Sequence, residues 1–468
     1  MNWITKTSAA ALCVVSLAGC SAMRSEYHPP ELDIPQHWTG ATAPSQPDST
    51  LEQPEHWWTR FQEPALNSLV ERVLAANSDL QTATLTLKKA LLEAGVSENN
   101  KVPRLSFAQN SSRQYDLETG ASTSSYAASL ALSYELDLWQ RVAALADASE
   151  LAARASFEER EDLAQDLVVT TASLYWKLGY LNQSIALISD NLKDSERIAA
   201  LTRLQYDSGS SSRLEVNESQ QAVLSLQLQL SQRQQELAET RNALSILLDQ
   251  PLQQTGVAIE RLPQQPIPDI AAGLPADLLL RRPDIRASLY RLQSALASKD
   301  AVAAGYLPTI TLTGAVNTSS SSLVELLENP VATLGSGIVL PFLQWREMEL
   351  NKAISEVEYQ MAVVDYRNTI YQAFEEVDNL LTAKRHYGYQ GQVYAEQYSH
   401  AREIEQIYQS RYTHGESDII DWLNATESRR GIESSLLENR YNQLVLQARL
   451  YQALGGGGID LQTPGSSL

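Results

Sequence analysis

From Tyr126 to Leu138 the chain alternates. Tyr126, Ala128, Leu130, Leu132, Tyr134, Leu136 and Leu138 occupy one set of positions, and Ala127, Ser129, Ala131, Ser133, Glu135 and Asp137 the other. A period of two places the first set on one face of a β-strand and the second on the opposite face. The length suits a tilted strand crossing a bilayer, which needs roughly 9–11 residues in the hydrocarbon. It suits a strand of a soluble sandwich equally well. A partner strand is predicted from Leu105 to Tyr115, joined through a polar tip at Glu118–Ser124 to the alternating strand, which runs on to Trp139. A second hairpin carries Ile310, Leu312 and Val316 against Thr309, Thr311, Thr313 and Asn317, with a return strand predicted from Leu334 to Phe342.

Elsewhere the spacing is helical. Leu66, Leu69, Val70, Val73 and Leu74 mark one helix, and Leu80, Leu87, Leu91 and Leu92 a second from about Asp79 to Asn100, ended by Pro103. No proline occurs from Arg104 to Gln250 or from Phe342 to Thr463. Proline is barred from helix interiors, so these spans, rich in Ala, Leu, Gln, Glu and Arg, read as long helices. One is predicted from Arg141 to about Arg203, roughly 95 Å at 1.5 Å per residue, far longer than a globular core requires. The next runs from about Arg213 to Leu248. Val216, Val223, Leu230, Leu237 and Leu244 form one seam of a heptad pattern there, and Ser219, Leu226, Arg233, Thr240 and Leu247 the other. Pro251 to Pro275 is a linker lying across the helices. Trp57 and Trp58 suit packing under a helix better than an interfacial anchor.

The pattern then repeats. Asp79 and Asp284, Pro103 and Pro308, and Arg141 and Arg346 are each separated by 205 positions (284 − 79, 308 − 103, 346 − 141). Tyr206-Asp-Ser-Gly209 is echoed by Tyr412-Thr-His-Gly415 at 206. The chain reads as a duplicated unit of helix, hairpin, long helix and helix, with the first copy at 56–262 and the second at 263–455. Two hairpins supply four strands. The smallest membrane barrels need about eight, and lipid does not tolerate open sheet edges. Several chains must therefore share one barrel: eight strands for a dimer, twelve for a trimer.

Charge and termini narrow the picture. A formal net charge of −20 argues against nucleic acid, whose phosphates need basic patches. Lys6 and the apolar run Ala9–Leu17 form a secretory signal, too short to be a transmembrane helix. Leu17-Ala18-Gly19-Cys20 resembles a bacterial lipobox. It implies a signal peptide over 1–19, lipidation (including palmitate) at Cys20 and, with Ser21 following, outer-membrane sorting. Several acyl chains anchor strongly, at about 0.8 kcal/mol per buried methylene. Cys13 is removed with the signal, so no disulfide framework is possible. Residues 20–55, rich in Pro, Ser, Thr and Gln, read as an extended lipid-anchored tether, and 456–468 as a flexible tail.

The chain resembles the TolC/OprM-type outer membrane efflux lipoproteins of the NodT-like group. The matching stretches are Leu-Ala-Gly-Cys20, Trp57-Trp58 with Phe61, Tyr134-Glu-Leu-Asp-Leu-Trp139, Leu280-Arg-Arg-Pro-Asp-Ile285, Ala304-Gly-Tyr-Leu-Pro308 and Tyr412–Gly415 followed by Asp421. The resemblance implies an α+β membrane protein: a homotrimer with a twelve-stranded outer-membrane β-barrel continued by a long periplasmic α-helical barrel. Its partners would be the membrane lipid, a periplasmic adaptor and an inner-membrane RND-type pump. It also implies a periplasmic gate at the helix hairpin ends, with Tyr412 and Asp421 in gate positions. Asn424 stands where some members carry a second Asp, and Ser417 where some carry Arg. Glu215 is the first-repeat counterpart of Asp421 (421 − 215 = 206) and would supply further charge.

Other chemistry is sparse. Glu416, Asp418 and Asp421 suit a solvated first helical turn, where acids are favoured. Arg281 and Arg282 suit capping of the linker. The six histidines lack metal-ligand spacing. No nucleophile triad, P-loop or dinucleotide turn appears, so no cofactor and no enzymatic activity are expected. The favoured reading is a passive exit duct. The alternatives are a coiled-coil structural lipoprotein of the envelope, which would need no alternating hairpins, and a lipid-anchored enzyme, for which no catalytic constellation is present.

Overall fold

The computed structural model describes residues 24–40, 56–252, 256–270, 275–277 and 281–457. Cys20, the signal peptide and the tail from 458 onward lie outside the described residues. Two compact units divide the chain. One gathers Met1–Leu32, Leu85–Glu158 and Ile285–Thr369, and the other Asp33–Thr84, Glu159–Asp284 and Ile370–Leu468.

The first unit holds the sheet. Strands β1 (Arg104–Tyr115), β2 (Ser122–Leu136), β3 (Thr309–Ser320) and β4 (Val331–Val339) pair antiparallel in that order. Residues opposite one another share a face, so the register sorts the side chains. Leu130 lies opposite Phe107 and Val316, Leu132 opposite Leu105 and Gly314, and Leu136 opposite Ile310, itself opposite Ile338. Ser129 lies opposite Ala108 and Asn317, and Glu135 opposite Thr311. One face is an apolar band and the other is small and polar. No second sheet covers the band among the described residues, where Phe107 is 71% exposed and Leu334 91%. A soluble sandwich would bury these side chains, so the bilayer alternative is the one that fits. The outer edges of β1 and β4 have no strand partner among the described residues of this chain. The expected return strand Leu334–Phe342 is corrected to Val331–Val339. Pro341 lacks a ladder donor, and Pro341–Leu343 forms a 3-10 turn instead.

The stretch Glu135–Trp139 is the joint between strand and helix. Asp137 accepts from the backbone N–H groups of Val142 (3.0 Å) and Ala143 (2.8 Å), capping the first turn. Both carboxylate oxygens of Glu135 accept from Arg141 Nη2 at 2.9 Å. Trp139 Nε1 donates to the carbonyl of Pro308 at 2.8 Å. The strand thus passes straight into a helix that the next residues are already held to start.

Seven α-helices are described: α1 (Pro64–Ala76), α2 (Ser78–Asn99), α3 (Arg141–Asp207), α4 (Arg213–Leu247), α5 (Pro283–Gly305), α6 (Trp345–Thr413) and α7 (Ile419–Ala453). The order helix, hairpin, long helix, helix occurs twice. The long helices α3 and α6 have 67 and 69 residues, about 100 Å each at 1.5 Å per residue.

The second unit has a tightly packed aromatic centre. Trp57 stacks on Tyr451 at 5.2 Å, and Phe61 lies 4.8 Å from Trp176. Leu66, Leu69, Val70 and Val73 of α1 are buried against this cluster. The heptad seams of α4 are buried or half-buried along their length. Arg233, a charge at a seam position, lies over the Tyr180 ring at 5.6 Å and pairs with Glu236 at 3.0 Å. The linker residues 256–270 lie on these helices: Asn182 donates to the Ile259 carbonyl at 2.7 Å, and Arg440 to that of Pro263 at 3.0 Å.

The described N-terminal residues, 24–40, have neither helix nor strand, yet they are docked as well as extended. Ser25 donates through its N–H (2.8 Å) and Oγ (2.7 Å) to Asp300, and Arg24 pairs with Asp147. In the second unit Trp38 is buried edge-on to Phe374 at 6.1 Å, and Gly40 N donates to Asp378 at 2.9 Å. A Cβ on Gly40 would meet the Asp378 carbonyl at 2.7 Å. At the other end Gly456, expected in the flexible tail, is buried, and Gln165 donates to the carbonyls of Gly455 and Gly457.

Each repeat closes on itself through one residue. Asn77 caps α2 by accepting from the N–H groups of Asp79 and Leu80, both at 3.0 Å, and donates to the carbonyl of Leu247 at the end of α4 (3.1 Å). Arg282 stands 205 positions later (282 − 77). It pairs with Asp284 (2.9 Å) and Glu376 (2.7 Å) and donates to the carbonyl of Ala453 at the end of α7 (3.1 Å). Arg282 was expected to cap the linker, but it ties helix ends together instead.

Candidate functional site

The candidate site is built on the two turns that end the long helices. Both turns use one backbone device. After α3, Gly209 N donates to Tyr206 O (3.0 Å) and Ser210 N to Gln205 O (2.7 Å). After α6, Gly415 N donates to Tyr412 O (3.0 Å) and Glu416 N to Arg411 O (2.8 Å). Gly209 and Gly415 have φ of 79° and 73°, a left-handed conformation that costs other residues about 1–2 kcal/mol. The glycines at these two positions therefore have a backbone reason.

The side chains then diverge. Tyr412 accepts a hydrogen bond from Gln205 Nε2 at 2.9 Å, so the end of α6 is linked to the end of α3. Its ring lies 5.5 Å from that of Trp422. Tyr206, the first-repeat counterpart, is instead overlain by Arg203 at 5.5 Å. Glu215 is held in a capping box: its N–H donates to Ser212 Oγ at 3.3 Å, and its carboxylate accepts from Ser212 N and Ser211 Oγ. The Ser211 hydroxyl and the Ser212 N–H hold that carboxyl below its usual range. Asp421 lies in the first turn of α7, exposed, with no hydrogen bond or ion pair among the described residues. Asp418 N-caps α7 without a side-chain bond.

The structure therefore links Tyr412 to the α3 end and sets it beside Trp422, the neighbour of Asp421. No bond joins Asp421 to Glu215 among the described residues. Gln205 and Trp422 carried no sequence signal: each matters through a partner far away in the chain or through ring packing that no spacing reveals. Further along α7, Arg429 pairs with Glu405 (2.7 Å) and with Glu433, joining α7 to α6.

A second cluster surrounds Arg282. Asp162, on α3, has its pKa pushed up to about 6, first by burial and then by the nearby Asp284 charge, with Asp166 and Glu376 adding and Arg282 opposing.

The family model described as "Outer membrane efflux protein" matches residues 69–249 and 274–456. A toxin and drug export protein A from Aggregatibacter actinomycetemcomitans is 31% identical over 409 residues, 86% of this chain and 88% of that protein. A pyoverdine export outer membrane protein, OpmQ, from Pseudomonas putida is 28% identical over 459 residues, covering 95% and 97%. Among solved structures, the open state of the MtrE outer membrane channel from Neisseria gonorrhoeae aligns with a TM-score of 0.81 at 27% identity, covering 93% of this chain and 98% of that one. The CmeC outer membrane channel of Campylobacter jejuni aligns with a TM-score of 0.85 over 94% and 96%, and at 22% identity this likeness speaks for the fold.

Proposed function

The chain belongs to the outer membrane efflux protein family, and from that premise we propose that it is a passive, gated exit duct for small molecules. It serves as the outer-membrane component of an efflux system, joined by a periplasmic adaptor to an inner-membrane pump that supplies the energy. One observation carries this reading. A four-stranded sheet with one uncovered apolar face and two unpaired edges leads directly into helices of 67 and 69 residues. Four strands cannot close a barrel in lipid. Three copies supply twelve, and the chain then works as a homotrimer with the small, polar face of the sheet toward the lumen. Lipid on Cys20 adds a membrane anchor beside the barrel, and the docked segment 24–40 is the stretch that joins it to the helices.

The gate assignment rests on the turn geometry. Tyr412 and Gln205 form the link that must break for α6 and α3 to separate at their ends. Asp421, free of local partners, is available to form a ring with its two symmetry mates, and acidic rings favour cations in other channels. Glu215 contributes charge near the same end while it caps α4. Conductance of the purified protein in planar bilayers tests the reading. Discrete conductance is expected, low at rest in wild type and raised in a Tyr412→Phe, Asp421→Ala double variant. Absence of conductance in both, with the oligomer correctly inserted, would sink the duct reading and favour a structural envelope lipoprotein.

A further inference from the structure

Between α3, α4 and α7, within the second unit, lies a cavity of about 640 Å³. Cavities of roughly 300–1,000 Å³ hold drug-sized molecules. This one has an apolar side formed by Leu187, Leu226 and Leu423, and a polar remainder that includes Gln229. Four charged side chains line it, Glu218 and Arg233 from α4 and Glu427 and Arg430 from α7, and Arg233 is already paired with Glu236.

Two of these, Glu218 and Arg430, have unmet hydrogen bonds. Arg430 donates from Nη1 to Ser195 Oγ (2.9 Å) and from Nη2 to the Asn191 carbonyl (3.1 Å), two neutral acceptors. Its Nε is buried without a hydrogen-bond partner. Glu405 and Glu433 pair with Arg429, the preceding residue, while Asp194 and Glu427 act on Arg430 through their charge, with no hydrogen bond to it among the described residues. Burial, together with the Arg429 charge, pushes the Arg430 guanidinium below its usual pKa. Glu218 has one carboxylate oxygen, Oε2, buried without a partner. An unmade buried hydrogen bond is costly, the more so on a charged group. Here two such groups of opposite sign line the same cavity, and neither pairs with the other.

We infer that this cavity binds a small amphiphilic zwitterion: its carboxylate meets Arg430, its ammonium meets Glu218, and its apolar body lies along Leu187, Leu226 and Leu423. One ligand then supplies both missing hydrogen-bond partners. It also bridges α7 to α3 and α4, so its binding favours the spacing of the three helices seen here. The site goes beyond the duct reading and does not rest on it, because binding is measured on the protein without reference to transport.

The test is calorimetric titration of the full-length protein in a non-ionic detergent at neutral pH with two probes. Ampicillin carries both a carboxylate and an ammonium. Benzylpenicillin keeps the carboxylate and a similar apolar body but lacks the ammonium. Ampicillin is expected to bind about tenfold more tightly than benzylpenicillin. Glu218→Gln should bring the two affinities to within about twofold, and Arg430→Gln should weaken both by about tenfold. Equal affinities in wild type, failure of ampicillin to bind, or an unchanged ratio in Glu218→Gln would each overturn the site. If Arg430→Gln does not assemble, the wild-type ratio and Glu218→Gln still decide. Bilayer recordings without conductance alongside intact ampicillin binding would overturn the duct and leave this site standing.

Discussion

At the end of α3 the chain turns through Gly209, and at the end of α6 it turns through Gly415, with the same two backbone bonds in each turn. The acid six residues after each glycine then takes a different part. Glu215 is enclosed by Ser211 and Ser212, whereas Asp421 is left without a partner. The same divergence appears where the repeats begin. Asn77 closes the first repeat with a neutral amide, and Arg282 closes the second with a guanidinium held by two carboxylates. The backbone device survives duplication because glycine at positive φ serves either copy equally. Side-chain chemistry is where the copies separate: the turn of the second copy frees its acid, while the start of the second copy is held by more charge than the first.

The contrast at the repeat starts should give the largest effect. Arg282→Ala strands Asp284 and Glu376 and should cost about 3–5 kcal/mol. Asn77→Ala loses a cap and should cost about 1–2 kcal/mol. Thermal unfolding of the detergent-purified oligomer ranks them, and equal losses would erase the distinction. The charged cluster should also confer pH dependence that the first repeat's neutral joint lacks. Asp162 has a folded pKa of about 6 against an ordinary 3.8, so the folded state favours its protonated form. Ionised Asp162 therefore costs stability at neutral pH, and that cost shrinks as pH falls through 6 and is gone near 3.8. Asp162→Asn should be more stable than wild type by about 1–3 kcal/mol at neutral pH, with the gap closing in acid. A gap independent of pH would detach Asp162 from the cluster.

The turns sharpen the comparison further. Glu215→Ala removes half of a capping box and should lower stability by about 1 kcal/mol while leaving block by polyvalent cations unchanged. Asp421→Ala should do the reverse: stability within about 0.5 kcal/mol of wild type, and weaker cation block in single-channel recordings. The smallest effect belongs to the link itself. Gln205→Ala should raise open probability about three- to tenfold, the weight of one hydrogen bond, whereas Tyr206→Phe should leave it unchanged.

Much of the fold was legible because periodicity reports which face of an element is covered. The alternation at 126–138 anticipated the face that the register assembles from Leu130, Phe107 and Val316. The heptads at 216–247 anticipated the covered seam of α4, including Arg233 and Thr240. Periodicity does not report what does the covering. The docking of Ser25 and Trp38, the partner of Tyr412 and the neutral partners of Arg430 all depend on residues more than 100 positions away. The compact units were equally hidden, since each draws on both repeats. Of the proposed gate residues, Tyr412 and Asp421 were accessible through the repeat and the family likeness. The capping role of Glu215 was there to be read in Ser212-x-x-Glu215, a capping-box signature.

The bonds from Asn77 to Leu247 and from Arg282 to Ala453 have a consequence for how such a chain can be encoded. Each repeat leaves its starting residue, travels out through a hairpin, returns along two helices and is fastened where it began. In connectivity each is a ring, and residues 251–275 are a thread strung between rings. A ring has no privileged opening, and two rings need no shared gene. Separate half-length chains, co-expressed and divided within the thread, keep every closure bond intact. The single polypeptide and the pair of halves are then alternative encodings of one assembly, six subunits in place of three.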